Sequence, residues 1–147
     1  GPINDIVELM GNAVQSGVTC TMIIDHRTYT TKPVRTGDFL ELWERMALPY
    51  QMQYLEGFVG MFTCDVGDLS QVVHMWRYED QGDRERRRTA MYEDPGWLEY
   101  VKALKESELI VKMETKILKP VPWLTGVLKW VPRMVYNVVA GVEIHWP

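Results

Sequence analysis

Phe58-Val59-Gly60-Met61-Phe62-Thr63-Cys64-Asp65-Val66, then Gly67-Asp68, then Ser70-Gln71-Val72-Val73-His74-Met75-Trp76-Arg77-Tyr78: two runs rich in β-branched and aromatic residues flank a turn signal. Run, turn and run is the pattern of an antiparallel hairpin. Strand side chains alternate between faces, so Val72, His74, Trp76 and Tyr78 share one side of the second run. Upstream, residues 18–31 alternate too, with Val18, Cys20, Met22, Ile24 and His26 on one face and Ile23, Asp25, Arg27 and Tyr29 on the other, which predicts a first strand. Between it and the hairpin, Phe39, Trp43, Met46, Tyr50 and Tyr54 mark one face of a helix that Pro49 is expected to kink near Leu48 and Gly57 to end. Downstream, Asp80 or Asp83 can cap a helix carrying Arg84 to Arg88. Asp94-Pro95 repeats the start signal, with Leu98, Val101 and Leu104 as the expected buried side. Leu109, Val111, Met113, Thr115 and Ile117, set against Lys112, Glu114 and Lys116, give a fourth strand that Pro120 closes.

The order β-α-β-β-α-β over residues 18–120 predicts an α+β domain of ferredoxin-like type. A four-stranded sheet with helices on one face leaves the other face to cover. Packing two such sheets together covers it, so the expected assembly is a homodimer. Residues 1–17 read as an N-terminal helical extension on Ile3, Ile6, Val7, Met10 and Val14, with Gly1-Pro2 set aside as a cleavage scar. Residues 121–147 read as a C-terminal apolar extension. Its prolines Pro122 and Pro132 and charges Lys129 and Arg133 argue against a spanning helix, so packing on its own or the partner subunit is preferred to membrane contact through an interfacial helix.

With 147 residues, of which 46% are hydrophobic, the chain suits one globular domain. A net charge of −4 argues against nucleic acid, whose binders cluster Lys and Arg. The dense run Arg84 to Arg88 is interrupted by Glu85 and reads as a solvated helix face with internal pairing. Cys20 and Cys64 read as reduced core residues, a composition that suits the cytoplasm. No phosphate loop, nucleophile elbow or His-Glu-x-x-His occurs, and His26, His74 and His145 are too scattered to suggest a metal site. No cofactor is expected.

Asp25-His26-Arg27-Thr28-Tyr29, Gly60-Met61-Phe62, the run Gly67 to Tyr78, then Arg84, Arg87, Arg88 and Asp94-Pro95-Gly96-Trp97 together resemble the NIPSNAP family over roughly the central hundred residues. The specific part is the hairpin through Trp97. The resemblance implies a ferredoxin-like fold and dimeric barrel assembly, related in shape to cofactor-free monooxygenases and small isomerases, and it implies no single reaction.

His74, Trp76 and Tyr78 would line up an imidazole, an indole and a phenol along one strand face. His74 and Tyr78 are therefore candidate catalytic residues and Trp76 a candidate ligand contact, with His74 as acid or base. A hydrogen-bonded structural histidine among core aromatics is the competing account. Arg27, a third catalytic candidate, shares a face with Asp25 and Tyr29, both candidate ligand contacts. Its planar fork suits a carboxylate, enolate or carbonyl oxygen, while an ion pair with Asp25 or Glu114 explains it equally well. His26 faces the other way. Arg84 and Arg88, one helical turn apart, could form a two-arginine anion clamp. The expected function is binding of a hydrophobic, oxygenated small molecule, as a cofactor-independent enzyme of isomerase, cyclase or monooxygenase type or as a ligand-binding protein. The alternative is an interaction protein that binds a protein partner or a membrane through its extensions.

Overall fold

The computed structural model describes residues 1–5 and 22–122. The chain divides into two compact units, Ile23–Lys119 and a second made of Gly1–Met22 with Pro120–Pro147. In the second unit residues 2–5 are helical. The rest of the expected leading helix, Cys20, and the expected apolar tail beyond Pro122 lie outside the described residues.

The first unit runs β1 (Ile23–Thr31), α1 (Thr36–Leu42), a π-helical turn (Trp43–Ala47), α2 (Leu48–Leu55), β2 (Phe58–Thr63), β3 (Gln71–Tyr78), α3 (Gln81–Glu93), α4 (Pro95–Ser107) and β4 (Ile110–Leu118). The strands form one antiparallel sheet in the order β2-β3-β1-β4. This is the α+β, ferredoxin-like arrangement. The core lies between one sheet face and the helices, with Phe39, Trp43, Leu55, Val72, Trp76 and Met91 among its members.

Several local expectations change. The hairpin connection is residues 64–70 and not a two-residue turn, because the Asp68 side chain accepts from Ser70 N at 3.0 Å and Gly67 takes a φ of +126°. Cys64 sits in that loop, half-buried, its thiol donating to the Val66 carbonyl at 3.3 Å, so it is not a core residue. On α4 the buried side is led by Trp97 and Tyr100, while Leu98, 47% exposed, points away. The larger aromatic rings remove more apolar surface from water than a leucine one position round the helix would.

Pro49 follows a π-helical turn, Trp43–Ala47. It lacks an N–H and its ring would crowd the carbonyl four residues back. The preceding turn widens, and Leu48 N–H donates to Trp43 O, five residues behind it. This matters for the site. In an unbroken α-helix Trp43 and Gln51 would sit about 80° apart; absorbing roughly one residue in the widened turn brings them within about 20°. The helix ends at Leu55, where Glu56 takes the left-handed conformation (φ 57°). Gly57 is needed for a different reason: a Cβ there would lie 1.9 Å from the Arg77 carbonyl oxygen.

Asp80 caps α3 by accepting from Asp83 N at 2.7 Å, and Asp94 caps α4 by accepting from Gly96 N at 2.8 Å. Along α3 the expected internal pairing holds for Arg87, which meets Asp83 at 2.7 Å and Glu56 at 3.0 Å. Arg84 turns inward instead.

Candidate functional site

Strand register decides which side chains meet. Arg27 lies beside His74, Asp25 beside Trp76 and Ile23 beside Tyr78, all on the helix-facing side of the sheet. All six candidates, Asp25, Arg27, Tyr29, His74, Trp76 and Tyr78, therefore share one surface. His26 is on the other face, as expected.

They then separate by depth. Arg27 and Tyr29 line a cavity of about 550 Å³ between β1, β4 and the helices α3 and α4. Asp25, His74, Trp76 and Tyr78 are buried outside the cavity lining. Asp25 ties the two layers together: its Oδ2 accepts from Arg84 Nε at 2.8 Å and faces Arg27 Nη1 at 3.3 Å. Arg27 Nε also donates to the Tyr29 hydroxyl at 3.1 Å. Burial opposes the Arg27 charge, but Tyr29 and Asp25 outweigh it and hold its pKa above the ordinary arginine value. Glu114, the other expected partner, pairs with Lys112 at 3.1 Å on the opposite face.

The Trp76 indole N–H donates to His74 Nδ1 at 2.8 Å, which leaves the ring proton on Nε2. Burial, then the nearby Arg27 charge, pushes the His74 pKa down to about 3. The imidazole is a fixed, neutral acceptor for the indole. Acid or base work near neutral pH would require a group that titrates closer to it. Burial likewise pushes the Tyr78 phenol up, against the opposing pull of Arg88, whose guanidinium approaches the hydroxyl without the alignment of a good hydrogen bond.

Residues 24–125 match the NIPSNAP family. The chain belongs to the NIPSNAP family. It is 36% identical over 98 residues to Protein NipSnap homolog 1 of Danio rerio, a match covering 67% of this chain and 34% of that protein. The chain spans about a third of the length of the curated relatives it matches. Among solved structures, a NIPSNAP-like domain protein from Burkholderia xenovorans is 33% identical with a TM-score of 0.65, covering 87% of this chain and 97% of that one. A putative antibiotic biosynthesis monooxygenase from Nitrosomonas europaea shares the fold at 12% identity, with a TM-score of 0.52 over 71% of this chain and 94% of that one.

In this NIPSNAP domain the cavity also contains Arg88, half of the expected anion clamp, and residues the sequence did not single out as site residues. Trp43 and Gln51 reach it from the helix with the widened turn, Trp97 and Tyr100 from α4, and Arg88 and Tyr92 from α3. The expected Arg84 and Arg88 clamp is divided, since Arg84 serves Asp25 while Arg88 lies over the Tyr92 ring at 6.0 Å, with no ion pair among the described residues. At regular helical spacing Gln51 falls off the apolar face that carries Trp43. Its place at the cavity depends on the widened turn. Among the described residues no three His, Cys, Asp or Glu side chains are grouped to hold a metal ion, and no helix is long and apolar enough to cross a membrane.

Proposed function

We propose that this NIPSNAP domain is a homodimeric α+β barrel that binds a hydrophobic, oxygenated small molecule in the cavity and acts on it without a cofactor, Arg27 polarising a ligand oxygen. The observation that carries the reading is Arg27 itself. Its side chain is 11% exposed, it lines a largely apolar cavity, and it shares its carboxylate partner with Arg84. A guanidinium has five N–H donors, and Arg27 spends two of its nitrogens on Asp25 and Tyr29. A cavity of this size, walled by rings with a few converging polar groups, is what small-molecule sites use. For the dimer, the sheet face away from the helices carries Ile24, Val73, Met75 and the half-exposed Phe62.

The test is calorimetric titration of the protein with 2-naphthol and 2-naphthoate, alongside mass by light scattering at micromolar concentration. Expected are saturable binding of both probes, loss of about tenfold or more in affinity for the oxygenated probes in Arg27→Met, and a dimer mass. Absence of binding by either probe overturns the cavity reading. A monomeric mass overturns the barrel.

A further inference from the structure

Three buried polar atoms on residues that line the cavity have no hydrogen-bond partner: Trp43 Nε1, Gln51 Oε1 and Trp97 Nε1. Their residues are each at least nine-tenths buried. Buried donors and acceptors ordinarily find partners, and leaving one unmet is costly. Two of these atoms donate and one accepts, so the complement is a molecule with oxygen acceptors and at least one free hydroxyl.

Charge adds a second constraint. Three guanidiniums, Arg27, Arg84 and Arg88, surround the His74 and Tyr78 layer, where Asp25 is the buried carboxylate. Asp25 is shared between Arg84, at 2.8 Å, and Arg27, at 3.3 Å, so one carboxylate serves two guanidiniums, and the cavity wall carries Arg27, Arg88, Lys105 and Lys112 against Glu108. A low-dielectric wall with surplus positive charge favours an anionic guest, and the guanidinium fork matches the two oxygens of a carboxylate. Trp43, Tyr92, Trp97 and Tyr100 supply flat apolar surface for a ring.

We infer that the cavity takes a hydroxylated aromatic acid, its carboxylate held by Arg27 and Arg88 and its hydroxyl donated to Gln51 Oε1. This rests on the cavity being the binding site, and names the ligand class for it. The widened turn at Trp43–Ala47 is then the device that turns Gln51 towards the ligand beside Trp43.

Four bicyclic probes test it in the full chain: 2-naphthol, 2-naphthoate, 6-hydroxy-2-naphthoate and 6-methoxy-2-naphthoate, titrated by quenching of tryptophan fluorescence. The hydroxy acid should bind at least tenfold tighter than 2-naphthol. It should also outbind the methoxy acid, which cannot donate. Arg88→Met should shrink the preference for acid over alcohol at least tenfold, read as the ratio of the two affinities within that variant, and Gln51→Leu should remove the difference between hydroxy and methoxy acids. Should either variant melt early, the wild-type series decides alone, because the order of the four affinities needs no mutant. Equal binding of alcohol and acid overturns the inference and leaves the cavity as a binding site. Failure of all four probes removes that underlying reading.

Discussion

Along β3, Val72, His74 and Trp76 are fully shielded from solvent, while across β1 into β4 the same sheet face passes from the partly covered Arg27 to Met113, 50% exposed. Both halves are built by the same alternation. Over β3, Phe58 packs on Trp76 at 4.8 Å between ring centres and Trp43 approaches His74 at 6.1 Å, so rings close the surface. Over β4, an edge strand with a register shift between Thr30 and Thr31 opposite it, the cavity separates strand from α4. The lesson is that a side chain's face and its accessibility are set by different things. His74, Trp76 and Tyr78, with Asp25, became the wall's foundation, and Arg27 and Tyr29 became the wall.

The largest expected effect breaks or upholds this division directly. Trp76→Ala in the sealed half should cost roughly 3–5 kcal/mol in urea unfolding, and Met113→Ala in the open half under about 1 kcal/mol. A reversed order would mean that the two halves are packed alike.

Acid should find the same boundary. The folded His74 takes its proton only near pH 3, while an unfolded histidine takes it near 6.5. Between those values the unfolded chain binds the extra proton. The contribution is therefore fully present above about pH 6.5 and is lost as pH falls, at up to about 1.4 kcal/mol per unit. By pH 5 wild type should have lost about 2 kcal/mol more than His74→Gln, measured by denaturation at each pH. Parallel curves for the two proteins would place His74 in a solvated setting.

Gly57→Ala probes how α2 is held against the end of β3. The added methyl meets the backbone oxygen of Arg77, so a loss of roughly 1–3 kcal/mol is expected, with melting temperature as the readout. An unchanged melting temperature would show that this junction yields easily.

Smallest of all should be Tyr78→Phe. The hydroxyl is buried beside Arg88 without a well-aligned hydrogen bond, so its removal should leave stability within about 0.5 kcal/mol and probe binding unchanged. A large fall in binding would move Tyr78 from the foundation into the site.

Alternation by itself determined that Asp25, Arg27 and Tyr29 form one row and His74, Trp76 and Tyr78 another, and the Asp80 and Asp94-Pro95 signals located the starts of α3 and α4. These are local properties: side-chain period two in a strand, and a short acceptor beside free helix N–H groups, act within a few residues. Tertiary structure decided that the two rows lie side by side, because only the pairing of β1 with β3 puts Arg27 next to His74 across 47 positions of sequence, from residue 27 to residue 74. It also decided that Cys64 sits in a loop, that Arg84 and Arg88 part company, and that Gln51 joins Trp43 at the cavity. Each of these depends on how closely one element packs on another and on where a helix adjusts to its proline. Packing distance is a property of two elements together, and no periodicity within either one encodes it.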